Sequence, residues 1–195
     1  LSLVGSEMCI RDRLNDVYRD FNFEPVQRSS VVEEMRFVDA ISDSLKESMN
    51  KYNNLVLMGQ DIAEYGGVFK VSEGFLDLFG KERVRNTPIC ESSIIEVAMG
   101  LSICNRKSIV ELQFSDFISS GFNPVVNYLA KIHYRWGQNA DIVLRMPCGG
   151  GVGAGPFHSQ TNEAWFTKTA GLIVVYPAFP DDAKGLLISS IENPN

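Results

Sequence analysis

Asn86-Thr87-Pro88-Ile89-Cys90-Glu91-Ser92-Ser93 is the stretch on which the reading of this sequence turns. It joins a short apolar run around Val84 to a segment that is apolar nearly all round: Ile94, Ile95, Val97, Ala98, Met99, Leu101 and Ile103. The first has the pattern of a strand and the second that of a buried helix. Pro88 biases Thr87 away from the helical region and helps to stop the strand. Ser93 followed by Glu96 is a capping-box pattern, so the helix is expected to start there. Glu91 is then held at a strand-to-helix junction beside a helix that must be buried. A carboxylate in such a place is costly unless it is partnered, and its presence points to a working group.

The 195 residues suffice for one domain with a sizeable core. Apolar residues at 45% and charged residues at 22% are ordinary for a soluble globular protein. The net charge of -6, with no basic cluster, argues against a nucleic-acid or anionic-membrane surface. No apolar run approaches the ~20 residues of a membrane span. The four cysteines, Cys9, Cys90, Cys104 and Cys148, form no CxxC pair and no disulfide framework, which fits a reducing compartment. Residues 1–13 lack the apolar core of a secretory signal and resemble a translated sequencing adapter, so they are expected to lie outside the native fold. Residues 14–34 read as a polar linker or arm. Residues 35–195 read as one domain, expected to be truncated at its C-terminal end.

Working outward, Phe37, Val38, Ile41, Leu45 and Met49 recur at helical spacing and predict a helix over about 35–52. Leu55-Val56-Leu57-Met58 is a continuous apolar run, the pattern of a strand buried on both faces. A short helix is expected to end at Gly80. Residues 108–114, 141–146 and 172–176 predict further strands. Between them Phe122, Val125, Val126, Leu129 and Ile132 mark a helix, with Pro124 in its first turn. Asp181 and Asp182 open the last helix, where negative charge suits the N-terminal dipole. Strands alternate with helices throughout. The expected fold is α/β, a three-layer, mostly parallel sheet with helices on both faces and ligands at the carboxyl ends of its strands.

Four loops leave those ends: the one at Gln60-Asp61, the Glu91 junction, Gln113-Phe114-Ser115-Asp116-Phe117, and a glycine run leading to Phe157-His158-Ser159-Gln160. Their convergence predicts a site with a carboxylate, an amide, two aromatics and a histidine. The glycine run, 149–155, lacks the Lys-Ser/Thr of a P-loop and opens no helix with G-x-G-x-x-G. It reads as a flexible loop that carries His158. The other histidine, His133, lies among Tyr134, Arg135 and Trp136 and reads as structural or interfacial.

Gly66-Gly67-Val68-Phe69, Asn86-Thr87-Pro88-Ile89-Cys90-Glu91, Glu111-Leu112-Gln113-Phe114-Ser115-Asp116-Phe117 and Phe157-His158-Ser159-Gln160 resemble, in this order, the beta subunit of thiamine-diphosphate-dependent 2-oxo acid dehydrogenases. The resemblance runs from about residue 37 to residue 195 and is nearest to the branched-chain (2-oxoisovalerate) type or a bacterial alpha–beta fusion of it. It covers the transketolase-like pyrimidine-binding domain and implies the roles that follow. Glu91 would hydrogen-bond N1′ of the aminopyrimidine of thiamine diphosphate, favouring the tautomer whose nitrogen removes the thiazolium C2 proton. Ile89 and Cys90 would flank the pyrimidine, Phe117 would stack on it, and Gln60 and Gln113 would be nearby polar contacts. His158 would bind the substrate carboxylate and pass protons during reductive acylation. A structural potassium ion would take backbone carbonyls at Ala140, Ile142, Val143, Ser190, Asn193 and Asn195. Magnesium and the diphosphate would be held by an alpha-type subunit or fused alpha domain.

The implied activity is oxidative decarboxylation of a branched-chain 2-oxo acid, with acyl transfer to a lipoyl acyltransferase core. The implied assembly is an alpha2-beta2 heterotetramer in bacterial cytoplasm or mitochondrial matrix, and this piece alone is expected to be inactive. Two rivals stand beside it: a pyruvate dehydrogenase or transketolase-like enzyme, and a non-catalytic interaction subunit that keeps the fold. Three positions depart from the family pattern. Gln60 stands where many relatives have glutamate. Asn105-Arg106 replaces a turn that usually contains glycine. Glu96 stands where a small residue is usual: harmless as a capping partner, a buried charge if it lies deeper in the helix.

Overall fold

The computed structural model describes residues 17–22, 30 and 32–194. The adapter-like segment 1–13, most of the arm before residue 32, and Asn195 of the expected potassium set lie outside the described residues. The chain forms helix α1 (Phe37–Lys51), strand β1 (Val56–Gly59), α2 (Phe75–Phe79), β2 (Val84–Asn86) and α3 (Glu91–Ile103). It continues through β3 (Ser108–Glu111), a 3-10 turn at Ser115–Ser119, and a π-helical stretch (Pro124–Leu129) that runs into α4 (Ala130–Trp136). β4 (Ile142–Arg145) and α5 (Pro180–Glu192) complete it.

All strand pairs are parallel, in the order β2-β1-β3-β4. Successive side chains on a strand point to opposite faces, so an unbroken apolar strand must be covered twice. Leu57 of β1 and Ile109 of β3 enter a core with Leu45 and Met49 of α1 and Ile191 of α5. Val56, Met58 and Val110 enter the opposite core with Ile94, Ile95 and Ala98 of α3 and with Val125 and Leu129. The result is the expected three-layer sandwich. Gly80 ends α2 with its N–H on Leu76 O, Pro124 sits in the first turn of its helix, and Asp181 and Asp182 lie in the first turn of α5. Among the described residues no helix is long and apolar enough to cross a membrane. β2 is added on one side of β1, and β3 and β4 on the other. The order therefore reverses there, and the carboxyl ends of β1 and β3 flank the crevice where ligands bind in open parallel sheets.

Four expectations are corrected. Residues 172–176 form no strand. The Tyr18 hydroxyl donates to Leu172 O and accepts from Gly171 N–H, so the start of this segment is tied to the arm and not to β4. A cavity of about 760 Å³ lies beside β4, with Val143, Leu144, Ile173 and Val175 among its walls. The same contacts show that Tyr18 of the arm is packed. α3 begins at Glu91, three residues earlier than the capping box implies; its N-cap is Cys90 in place of Ser93, and no side chain caps it. Glu96 is exposed and carries no buried charge. Finally, α3 is covered on one side only, since Val97 and Ile103 face outward at 54% and 49% exposure.

Candidate active site

The early start of α3 makes Glu91 its first residue, at the helix end where backbone N–H groups favour negative charge. The side chain is buried, and each carboxylate oxygen has a partner. Gln60 Nε2, just past β1, donates to Oε1 at 3.1 Å. Ser120 Oγ, past the turn that follows β3, lies 3.1 Å from Oε2 and 2.9 Å from Phe117 O, and its one proton is shared between the two. The second contact needs close approach of that turn to α3. Gly121 permits it, because a Cβ there would come within 2.5 Å of Ile95 Cδ1 and 3.6 Å of the Glu91 carbonyl. The carboxylate is thus fixed by elements from three strands of the sheet.

A ring cluster lies on the β3–β4 side of the crevice. Phe114 meets Phe69, Phe117 and His158 edge-on, with centroids 5.8, 5.9 and 4.9 Å apart. Phe117 and His158 are 5.4 Å apart, also edge-on. His158 and Phe117 are half-buried, whereas Ile89 is 83% exposed and Cys90 is exposed at the mouth. Cys90 Sγ lies 3.1 Å from Ser93 Oγ, and that hydrogen bond holds the thiol below its ordinary range. Beneath the cluster, Glu111 and Arg145 end their strands in register and form a buried ion pair, Nη2 to Oε1 at 2.7 Å and Nε to Oε2 at 3.1 Å.

The structure therefore brings Gln60 to Glu91, and Phe117 to His158, at one sheet edge. Gln113, half-buried, lies between β3 and the ring cluster. Ala140, Ile142 and Val143 lie at the amino end of β4 and Ser190 and Asn193 at the end of α5, at the opposite edge. His133 is half-buried on α4, and its Nδ1 is buried without a partner among the described residues. Ser120, the Glu111–Arg145 pair and the bridging role of Phe114 went unassigned in the sequence reading. Phe114 and Glu111 fall inside a quoted motif, but nothing in the local sequence marks Ser120.

The residues fit an aminopyrimidine. A buried, oriented carboxylate supplies an acceptor, and half-buried rings supply an apolar wall. Thr87 Oγ1, just past β2, is buried with no partner among the described residues. The chemistry within reach is acceptance of an N–H and orientation of a flat heterocycle.

Comparison with known proteins gives the same direction. Residues 33–195 match the family model "Transketolase, pyrimidine binding domain". The chain is 40% identical over 161 residues to the 2-oxoisovalerate dehydrogenase subunit beta of Bacillus subtilis, covering 82% of this chain and 49% of that one. It is 38% identical over 162 residues to the pyruvate dehydrogenase E1 component subunit beta of Staphylococcus epidermidis, covering 82% and 50%. It is 38% identical over 164 residues to the mitochondrial 2-oxoisovalerate dehydrogenase subunit beta 2 of Arabidopsis thaliana, covering 83% and 46%. The chain spans about half the length of these curated relatives. A solved chain described as "Split gene transketolase, inactive beta4 tetramer" superposes with a TM-score of 0.65 at 18% identity, over 81% of this chain and 48% of that one, a likeness of fold. With its parallel sheet, its Glu91 junction and a family match over residues 33–195, the chain belongs to the transketolase pyrimidine-binding domain family.

Proposed function

We propose that this chain supplies the pyrimidine-binding half of the E1 beta part of a thiamine-diphosphate-dependent 2-oxo acid dehydrogenase, acting on a branched-chain 2-oxo acid. The observation that carries the reading is the buried Glu91 carboxylate, with both oxygens held at the carboxyl edge of the sheet. When bound, thiamine diphosphate supplies the acidic thiazolium carbon at which a 2-oxo acid is decarboxylated. Glu91 would accept a hydrogen bond from the pyrimidine. Gln60 and Ser120 keep the carboxylate from rotating away. Ile89 and Cys90 would flank the ring, Phe117 would stack on it, and Gln113 would add a polar contact. His158 would meet the substrate carboxylate and hold or release a proton there.

Ile89 and Phe157, exposed at 83% and 73% beside the site, leave room for a covering partner. In this reading the partner is an alpha-type subunit or fused alpha domain. It would hold the magnesium and the diphosphate and complete an alpha2-beta2 assembly that acylates a lipoyl acyltransferase. This chain alone would then be inactive. A potassium ion on backbone carbonyls of 140–143 and 190–195 would be structural and would take no part in the chemistry. Lys107 Nζ, 2.8 Å from Asp141 Oδ1 and 2.9 Å from Ile191 O, also ties these two stretches together. Pyruvate is the second substrate reading, favoured by the near-equal identity to a pyruvate dehydrogenase beta subunit. Turnover of 2-oxoisovalerate and pyruvate side by side separates the two.

The test is Glu91→Gln in the full-length chain assembled with its alpha-type partner. Exchange of the cofactor C2 proton is expected to slow by about 100-fold or more while the melting temperature holds. Exchange at the parent rate refutes the assignment of Glu91.

A further inference from the structure

His158 sits just after a glycine-rich stretch. Five of the seven residues 149–155 are glycine, and Gly149, Gly153 and Gly155 have positive φ. Such a run fixes little, so the position of His158 must come from its C-terminal side. Three buried polar side chains converge there: Ser115, Asp116 and Asn162, at 3%, 7% and 4% exposure. Ser115 Oγ donates to Gln160 O at 2.8 Å, and Gln160 N–H donates to Asp116 Oδ1 at 3.3 Å. Both backbone groups of Gln160 are thereby held by the turn that follows β3. Asn162 Nδ2 donates to Ser115 O at 2.9 Å, and Ser115 N–H donates to Pro147 O at 2.8 Å, so that turn is itself fixed. The side chain of Gln160 then closes a small loop around the histidine. Its Nε2 donates to Pro156 O at 2.6 Å, and His158 N–H donates to Gly155 O at 3.3 Å.

Ser115 and Asp116 each hold a backbone group of Gln160, and Asn162 holds the Ser115 carbonyl; buried polar side chains so used are costly to keep unless the joint matters. The turn that grips Gln160 also carries Phe117, the ring beside His158. We propose that Ser115, Asp116 and Asn162 are positioning residues that set His158 against Phe117 by clamping the backbone of Gln160. The placement needs no cofactor; only its consequence for turnover rests on the function proposed above.

The chain has two histidines, so side-chain NMR of the 195-residue chain with labelled histidine resolves both. His158, edge-on to Phe114 and Phe117, carries ring-current-shifted signals, and His133 on α4 serves as the internal control. In Ser115→Ala/Asn162→Ala the His158 signals are expected to move to the positions of free histidine while those of His133 stay. Asp116→Asn keeps an oxygen for Gln160 N–H and is expected to leave both sets in place. If the double variant fails to fold, Ser115→Ala alone decides: it keeps the Asn162 tie to the Ser115 carbonyl, and losing the bond to Gln160 O should move the His158 signals the same way by a smaller amount. His158 signals that stay put in the folded double variant, or in Ser115→Ala where that variant decides, overturn the proposal, as does their movement in Asp116→Asn. In the assembled enzyme the double variant should lose about 100-fold in kcat/KM, the scale of a misplacement near 1 Å, with cofactor affinity within about twofold of the parent. Shifted signals with unchanged turnover leave the clamp standing and refute the role given to His158.

Discussion

Replacing Arg145 by methionine should unfold this domain more easily than any surface change. Arg145 and Glu111 are register partners at the carboxyl ends of β4 and β3, with side chains 12% and 4% exposed. An ion-pair contact of 2.7 Å and a hydrogen bond of 3.1 Å join guanidinium and carboxylate. Arg145→Met keeps most of the packing length and strands a buried carboxylate. Breaking a buried pair on one side costs about 3–5 kcal/mol. A domain of this size loses roughly 2–4 °C of melting temperature per kcal/mol, so the expected drop is roughly 6–20 °C. In urea the midpoint should fall with the slope unchanged, since the same surface is exposed on unfolding. Glu111→Leu/Arg145→Met removes both charges and should recover most of the loss, because apolar replacement of a whole buried pair is often neutral. A single variant within about 1 kcal/mol of the parent refutes the reasoning, and so does a double variant no more stable than the single one.

Two further outcomes are expected. Cys90 and Cys104 are both exposed, and the Cys90 thiol is held below the ordinary range, chiefly by Ser93. At neutral pH more of it is thiolate, so iodoacetamide should label Cys90 faster than Cys104. Ser93→Ala should slow that labelling; equal rates in parent and variant would remove the hydrogen bond as the cause. Gly59→Ala places a Cβ 2.4 Å from the Glu111 carbonyl oxygen across the β1–β3 pair. It should cost about 1–3 kcal/mol by overpacking. It should also weaken cofactor binding by shifting Gln60; a variant as stable as the parent in a thermal melt would show that the strands give way freely.

The three-layer fold was legible because its cause is local. Leu55, Val56, Leu57 and Met58 have no polar face, so that strand had to be covered on both sides, and both cores are there. The strand expected at 172–176 failed because an apolar run shows only that a segment is strand-competent. Pairing depends on what holds its ends, and here Tyr18, more than 150 positions away in sequence, holds Leu172 and Gly171. α3 was misjudged for a related reason. Its composition is apolar all round, yet only one face meets the sheet, and Val97 and Ile103 are left outside. The capping box is a two-residue pattern, and the close approach of Ser120 and Gly121 to Glu91, invisible in the local sequence, goes with a helix that starts three residues earlier. Glu91 and His158 were singled out through their motifs; the groups that hold them were not, because holding is a property of loops distant in sequence.

Gln60 takes on a different meaning in this geometry. By sequence it stands where relatives of the resembling family often carry glutamate, and the loss of a charge looks like a weakening. Its amide nitrogen lies 3.1 Å from Glu91 Oε1. A second carboxylate at that distance would repel the first unless the two shared a proton. The amide needs no such sharing, because it donates an N–H outright. Each carboxylate oxygen can accept about two hydrogen bonds. Gln60 uses one site on Oε1 and Ser120 one on Oε2, which leaves each oxygen with a free lone pair. That is the acceptor capacity an aminopyrimidine needs, so the departure at Gln60 keeps Glu91 oriented without occupying the position it would offer a ligand.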